Sequence, residues 1–236
     1  MKAESKIADN NGVRIHYLDS NSDSSMVPVL ICPGLSETAE EYTDLMAYMM
    51  PRRCVALSFR GRGGSDTPEA GYDLAQHIVD IECVVQAAGL NRFHLYAYSR
   101  GVSYALGYAE NNLSRISSLI VQDYPAMHKR MPDGWANQYI SSYLVPFSRQ
   151  RNIRPEAIRG IQLESEHLQF NYALPKKLLV LRGMLEDSLL DDEGVDGYRK
   201  LNADVIVKNF ERSGHDIRST ERDHLYKTIG DFINSL

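Results

Sequence analysis

The chain contains the stretch Phe93-His94-Leu95-Tyr96-Ala97-Tyr98-Ser99-Arg100-Gly101-Val102, in which an apolar run stops abruptly at a serine. The run from Phe93 to Tyr98 has the length and composition of a buried strand. Small residues recur after the serine, and they would let a helix lie close to a sheet: Gly101, Ser103, Ala105, Gly107 and Ala109. We therefore predict a strand, a very tight turn at Ser99 and a closely packed helix.

The turn itself, from Ala97 to Gly101, has the form small-x-Ser-x-Gly, which is typical of a nucleophile elbow when it joins a strand to a helix. Such a turn strains the backbone of the serine, so small residues are needed two positions before and after it. The N–H of Arg100 would then lie at a helix N-terminus, where unpaired donors face a developing negative charge. A simpler interpretation is that Ser99 only caps the helix.

Composition limits the classes of protein that remain. The 236 residues fit one domain with a small insertion, and 43% of them are hydrophobic, which is ordinary for a globular protein. The formal net charge is −5, with acids and bases interspersed, which argues against nucleic acid as the main partner. We expect no membrane partner either, because the residues from Met1 to Asn10 lack the apolar region of a signal peptide and no apolar run approaches the length of a membrane span.

The three cysteines, Cys32, Cys54 and Cys83, lie in or beside apolar segments without the spacing of metal ligands. Their odd number does not suggest a disulfide framework. We expect them to be buried in a reducing compartment, and we predict a cytoplasmic protein. The histidines show no pairing at the spacing of metal ligands on a helix, so no metal or other cofactor is expected.

Strands and helices alternate along most of the chain. Apolar runs predict buried strands at 27–32, 54–59, 93–98, 116–122 and 178–181, with a last strand at 203–207. Amphipathic segments predict helices at 39–50, 74–88 and 217–236. The turn signal Asn11-Gly12 predicts a hairpin that ends in an antiparallel strand at 13–19. Together these elements indicate an α/β protein, with a mostly parallel sheet and helices on both faces.

The alternation stops at residues 126–176, which we interpret as an insertion in a core domain formed by residues 1–125 and 177–236. Candidate helices at 134–144 and 155–168 suggest a short helical cap over a pocket. Aromatic side chains recur at intervals of four on one face of the first helix: Trp135, Tyr139, Tyr143 and Phe147. This stripe could simply attach the cap to the core, or some of it could form a wall of the pocket.

The chain resembles the α/β-hydrolase family along nearly its whole length. Five segments match the family's motifs in the expected order: Cys32-Pro33-Gly34-Leu35, the turn Ser58-Phe59-Arg60-Gly61-Arg62-Gly63-Gly64-Ser65, Ala97 to Gly101, Leu181 to Asp187, and Ser213-Gly214-His215. The resemblance implies the α/β-hydrolase fold and the chain order nucleophile, acid, histidine. Two positions depart from the pattern, because histidine is common where Pro33 stands and aspartate where Ser58 stands.

The resemblance also implies roles for individual residues. Ser99 would be the nucleophile and His215 the base that takes its proton, since a neutral serine is a poor nucleophile. Asp187 is the expected acid that orients the imidazole, while Glu186 in the same loop and Asp123 at the end of an earlier strand stay open as alternatives. The N–H groups of Leu35 and Arg100 would form the oxyanion hole. Gly34, Trp135 and Tyr139 are the candidate substrate-binding residues.

We therefore expect a serine hydrolase that cleaves small or medium carboxylic esters. Dehalogenases and epoxide hydrolases of this fold have an aspartate at the elbow, where this chain has Ser99. The same triad would also serve a thioesterase, an amidase, a carbon–carbon bond hydrolase or a haloperoxidase-like enzyme. A ligand receptor on this fold, with slow or absent turnover, is the alternative outside catalysis.

Overall fold

The computed structural model describes residues 3–20, 23–175 and 177–235. The predicted ends of the cap at residue 176 and of the C-terminal helix at Leu236 lie outside these ranges. In the described residues the strands are β1 (Glu4–Asn10), β2 (Val13–Asp19), β3 (Val29–Cys32), β4 (Cys54–Leu57), β5 (Phe93–Tyr98), β6 (Ile116–Gln122), β7 (Met127–His128), β8 (Leu168–Gln169), β9 (Leu178–Gly183) and β10 (Ile206–Phe210).

The helices alternate with these strands as predicted. The α-helices are α1 (Thr43–Tyr48), α2 (Leu74–Ala87), α3 (Arg100–Glu110), α4 (Trp135–Tyr139), α5 (Pro155–Glu164), α6 (Asp192–Leu201), α7 (Ile217–Thr220) and α8 (Arg222–Asn234). Short 3₁₀ turns lie at Ala39–Tyr42 and Leu113–Arg115, and a π-helical turn at Ile140–Leu144 continues α4. The predicted C-terminal helix is thus two helices, and the last strand begins three residues later than expected.

The main sheet has the order β1-β2-β4-β3-β5-β6-β9-β10 within the described ranges. β1 and β2 form the predicted hairpin, with Asn11 and Gly12 in the left-handed conformation that its tight turn requires. β2 also pairs antiparallel with β4. Neighbouring strands pair in parallel along the rest of the order, from β4 through β3, β5, β6 and β9 to β10. This architecture confirms the predicted fold class.

Two apolar layers enclose the sheet because the central strands are buried on both faces. Along β5, Phe93, Leu95 and Ala97 pack into one layer with α2 and α3, while Tyr96 packs into the other with α1 and α8. This alternation follows the two-residue period of a strand. All four residues of β3 are buried. Apolar side chains therefore cover both faces of the sheet up to the edge at which the parallel strands end.

Residues 126–175 contain α4, the π-helical turn, α5 and the small antiparallel pair of β7 and β8. Their apolar side chains pack around Tyr72 in a third cluster: Ala136, Leu144, Ile153, Ala157, Ile158 and Ile161. The segment is tied to the core by hydrogen bonds as well as by packing, since Arg154 donates to the carbonyls of Gly63 and Ser65.

Burial lowers the pKa of four histidines, which makes the fold sensitive to acid: His16, His77, His94 and His128. Burial and nearby Arg52 lower the pKa of His94 to about 4, and burial and Arg100 lower the pKa of His128 to about 3. The unfolded chain protonates these side chains near pH ~6.5. Between pH 6.5 and these folded values the unfolded state binds more protons, so stability is complete above pH 6.5 and is lost as the pH falls.

We therefore expect the imidazoles of His94 and His128 to stay neutral at pH 5 in an NMR titration. The free energy of unfolding, measured in urea, should decrease from pH 7 to pH 5. Replacing His94 by Gln should reduce the pH dependence of the free energy of unfolding, by the contribution of up to one proton. Half-protonation of either imidazole near pH 6.5 in the folded protein would contradict the prediction.

Candidate active site

Ser99 stands between β5 and α3 with φ 52° and ψ −135°, a backbone conformation that residues with a side chain rarely adopt. Its N–H donates to the carbonyl of Gln122 at 3.0 Å, which fixes the turn to the neighbouring strand β6. The side chain is only 7% exposed. The predicted tight turn is therefore present, and it holds the hydroxyl at the edge where the parallel strands end.

Gly101 lets the start of α3 pack directly against the loop that follows β3. A Cβ at this position would lie 2.2 Å from the carbonyl oxygen of Pro33, a distance too short for any residue other than glycine. The same close approach places Gly34 beside the serine, since a Cβ on Gly34 would lie 3.2 Å from the Cβ of Ser99. The loop from Gly34 to Leu35 therefore faces the hydroxyl.

His215 reaches Ser99 from the loop between β10 and α7. Its Nε2 lies 2.9 Å from the Ser99 Oγ. The imidazole ring stacks on Tyr98, with ring centroids 4.9 Å apart, and the Tyr98 hydroxyl donates to the His215 carbonyl at 3.2 Å. Tyr98 therefore orients the histidine, a role that the sequence analysis missed.

Asp123 directly follows β6 and contacts the other nitrogen of the imidazole. Tyr98 and Gln122 are paired across β5 and β6, so the residues after them, Ser99 and Asp123, emerge side by side. The Oδ2 of Asp123 lies 2.8 Å from His215 Nδ1. This contact places the imidazole proton on Nδ1 and leaves Nε2 free to accept the proton of the serine.

The Asp123 carboxylate is completely buried, and donors surround it. Oδ1 accepts from Gly183 N at 3.2 Å and from Ser188 Oγ at 2.6 Å, while Oδ2 also accepts from Leu189 N at 2.9 Å. The loop after β9 therefore holds the Asp123 carboxylate in place, although Asp123 itself follows β6.

The structure places Asp123, and not the predicted Asp187, beside the imidazole of His215. Asp187 and Glu186 are exposed, and within the described part of the chain neither makes a hydrogen bond to His215. The Asp187 carboxylate lies beside Gly214, where a Cβ would be 1.6 Å from its Oδ1. The loop after β9 turns its Ser188 and Leu189 donors toward Asp123, and this leaves Asp187 outside the relay.

The two N–H groups predicted for an oxyanion hole belong to the residue after Ser99 and to the loop that packs against Ser99. The N–H groups of Leu35 and Arg100 have no acceptor among the described residues. The Arg100 side chain is buried, and its guanidinium donates to His128 Nε2 at 3.2 Å and to the Lys129 carbonyl at 3.1 Å. His128 is neutral and can accept this hydrogen bond.

A cavity of about 570 Å³ opens above Ser99 and His215. The three candidate substrate-binding residues, Gly34, Trp135 and Tyr139, all line it. Other lining residues come from the same loop and from the 126–175 segment: Leu35, Met131 and Tyr143. The serine therefore lies at the bottom of a partly apolar space of a size suited to a small ligand.

The aromatic stripe both attaches this segment and lines the cavity. Trp135, Tyr139, Tyr143 and Phe147 form a continuous ladder with successive ring centroids 5.1–5.3 Å apart. The Tyr139 hydroxyl donates to Ser36 Oγ at 2.9 Å, which links the ladder to the loop facing Ser99. Phe147 is 66% exposed and lies outside the cavity, so the two interpretations of the stripe apply to different residues.

A family model described as the alpha/beta hydrolase fold matches residues 27–178, well over half of the chain. The chain belongs to the α/β-hydrolase family. In the described ranges this α/β hydrolase has no helix that is both long and apolar enough to cross a membrane. No group of three or more potential ligands that could hold a metal ion occurs in the same ranges.

Relatives of this α/β hydrolase differ in chemistry. It is 29% identical over 116 residues to a 2-heptyl-3-hydroxy-4-quinolone dioxygenase of Rhodococcus erythropolis, and the match covers 48% of this chain and 43% of the dioxygenase. It is 22% identical to the N-formylmaleamate deformylase of Pseudomonas putida, covering 95% of this chain and 94% of that enzyme. The structure resembles an esterase from Exiguobacterium antarcticum with a TM-score of 0.79 and 20% identity, covering 98% and 100% of the two chains. These likenesses establish the fold but leave the substrate open.

Exchanging each aspartate for asparagine tests the assignment of the acid. Asp123→Asn should lower kcat on the order of 10⁴-fold, because an amide that donates to Nδ1 favours the wrong tautomer of His215. Asp187→Asn is the matched control and should change kcat by less than about threefold, since its carboxylate touches no part of the relay. The measurement is kcat for an activated ester, with thermal unfolding to verify the fold of each variant. The opposite ranking would return the acid to Asp187.

Proposed function

We propose that this chain is a serine esterase that cleaves small or medium carboxylic esters through an acyl-enzyme on Ser99. The observation that supports this most is the unbroken relay from Asp123 through His215 to Ser99 at the bottom of a cavity. The N–H groups of Leu35 and Arg100 have no acceptor among the described residues and could serve as oxyanion donors. A nucleophile, a base, an orienting acid and oxyanion donors are the full set that acyl transfer needs.

The reaction would proceed in two halves. The Ser99 Oγ attacks the ester carbonyl while its proton passes to His215 Nε2, and the N–H groups of Leu35 and Arg100 stabilise the oxyanion. The tetrahedral intermediate collapses, the carbonyl carbon loses the alkoxide, and His215 gives that leaving group its proton. Water then attacks the acyl-enzyme as His215 takes a proton from it. The second tetrahedral intermediate breaks its bond to Ser99 Oγ, His215 returns the proton to the serine, and the carboxylic acid leaves. Asp123 stays ionised throughout and stabilises the imidazolium.

We further propose that residues 126–176 act as a cap that sets the shape of the acyl or alcohol pocket. Support comes from Met131, Trp135, Tyr139 and Tyr143, which line the cavity from this segment. Contacts to the loop that faces Ser99 hold the segment in place, since Tyr139 bonds Ser36 and Arg149 donates to the Ser36 carbonyl at 2.8 Å. The cap and the oxyanion loop would therefore move as a unit.

The charges of the cavity favour neutral esters. Two of its carboxylates, Glu37 and Glu41, are paired with Arg218 and Arg149. Asp187 and Asp216 also line the cavity, and neither forms an ion pair within the described chain. An ester that carries its own carboxylate would meet this uncompensated negative charge.

Hydrolysis of an amide or formyl group is the second candidate. It is favoured by the deformylase of Pseudomonas putida, because that relative matches nearly the full length of this chain. The serine, base and acid would act in the same way, with His215 giving its proton to an amine. A panel that pairs each ester with the corresponding amide separates the two reactions.

The buried cysteines fit a reducing compartment, and we propose a cytoplasmic location on this ground. Cys32 and Cys54 are completely buried and free, and burial raises the pKa of the Cys54 thiol to about 12, whereas Cys83 is only partly buried, in contrast to the prediction. Such thiols stay protonated and unreactive.

Ser99→Ala should abolish ester hydrolysis, with a loss of roughly 10⁴-fold or more, because the remaining groups cannot form an acyl-enzyme. Wild-type protein should be labelled by a fluorophosphonate at Ser99, as read by peptide mass spectrometry, and should turn over neutral p-nitrophenyl esters faster than their carboxylate-bearing analogues. Retained hydrolysis by a folded Ser99→Ala variant would refute the proposal. Labelling of the wild type without turnover of any ester or amide would instead indicate a ligand receptor.

The value of kcat/KM should rise with pH along a single limb and then level off, because only the neutral His215 accepts the serine proton. Activity should be unchanged by EDTA, since the relay and the N–H groups supply every catalytic function. Ester hydrolysis measured from pH 5 to pH 9, with and without chelator, checks both statements. Loss of activity in EDTA that one divalent ion restores would contradict them.

A further inference from the structure

The loop that faces Ser99, from Gly34 to Ser36, is held by side chains from other parts of the chain. The completely buried Arg62 donates from Nε to the Leu35 carbonyl at 3.1 Å, and Arg149 donates to the Ser36 carbonyl. The Gly34 N–H donates to Glu37 Oε2 at 2.9 Å. These contacts occupy the Gly34 N–H and the carbonyls of Leu35 and Ser36, whereas the Leu35 N–H has no acceptor among the described residues.

Glu37 is the centre of this arrangement, because its two oxygens join three elements. Oε2 accepts from the Tyr42 hydroxyl at 2.5 Å as well as from Gly34, and Oε1 accepts from Arg218 Nη2 at 2.5 Å. Arg218 lies in α7, immediately after the loop that carries His215. The carboxylate therefore ties the oxyanion loop to the element that positions the base.

The charge of Glu37 needs a counterion at this place. A bare carboxylate at Glu37, two residues after Leu35, would repel the negative charge that develops on the substrate oxygen. Arg218 removes this repulsion, and it is itself fixed, with its guanidinium 4.5 Å above the Tyr42 ring and a hydrogen bond to the Glu41 carbonyl at 3.1 Å. Burial disfavours its charge, yet nearby Tyr42 and Glu37 outweigh this and raise the pKa of Arg218.

We infer that Glu37 is a positioning residue for the oxyanion hole: it fixes the Gly34–Leu35 peptide so that the Leu35 N–H meets the developing oxyanion, and Arg218 neutralises its charge. The inference rests on the proposed esterase function. Glu37 acts through the loop rather than on the reacting atoms, so its effect belongs to the transition state and not to binding of the ester.

Two substitutions of Glu37 separate its hydrogen bond from its charge. Glu37→Ala removes the acceptor and should lower kcat by about 10–100-fold with KM changed less than about twofold, somewhat less than the loss of a whole oxyanion donor. Glu37→Gln keeps an oxygen for the Gly34 N–H and should recover much of this loss. Affinity for an alkylboronic acid, which mimics the tetrahedral intermediate, should fall in parallel with kcat. Glu40 is an exposed neighbour, so Glu40→Gln is the matched control and should leave kcat, KM and the affinity for the boronic acid unchanged.

A double variant tests the role of Arg218. Arg218→Met leaves the Glu37 charge uncompensated and should lower kcat more than the double variant Glu37→Gln/Arg218→Met, in which that charge is gone. A residue that only stabilises the fold would give the opposite order, because the double variant loses more contacts. This comparison keeps the inference testable if Glu37→Ala does not fold.

Three outcomes would each overturn the inference. The first is an unchanged kcat in Glu37→Ala, and the second is an equal loss of kcat in Glu37→Ala and Glu37→Gln with unchanged boronate affinity. The third is a double variant with a lower kcat than Arg218→Met. The proposed esterase function is judged separately, by fluorophosphonate labelling of Ser99 and ester turnover in the wild-type protein. If Ser99 is labelled and turns over ester while the Glu37 variants behave like wild type, only the inference fails.

Discussion

The backbone of Ser99 is the constraint on which the rest of this site depends. A serine with φ 52° and ψ −135° stores strain on the order of 1–3 kcal/mol, so the surroundings must hold it in place. They do so through the bond from its N–H to Gln122 and through the close packing that Gly101 allows against Pro33. As a result, the Ser99 hydroxyl projects from the edge of the sheet and does not cap α3.

The parallel register of β5 and β6 then supplies the acid. Because Tyr98 and Gln122 are paired, Ser99 and Asp123 leave the sheet at the same level, and both have a positive φ. One histidine can bridge them, with 2.9 Å to the serine and 2.8 Å to the aspartate. Such short contacts, with the aspartate completely buried, hold the three side chains in the orientation that proton transfer requires.

Much of this could be predicted from residues close together in the sequence. The apolar run ending at Ser99 and the small residues after it locate the elbow, and Asn11-Gly12 locates the hairpin, because these turns depend on local backbone geometry. The acid could not be chosen in this way. Asp123 and Asp187 both follow strands that end at the same edge, and the choice depends on donors from Gly183, Ser188 and Leu189 that are distant from Asp123 in the chain. Strand register offers the missing signal, since Asp123 directly follows the strand beside the elbow.

The relay from Asp123 to His215 can be observed directly through the proton that it holds. A proton shared between His215 Nδ1 and a buried carboxylate should give a far-downfield ¹H NMR resonance, well separated from the amide region. We predict that this resonance is present in the wild-type protein and in Asp187→Asn and is absent in Asp123→Asn. A resonance that survives in Asp123→Asn and disappears in Asp187→Asn would contradict the account.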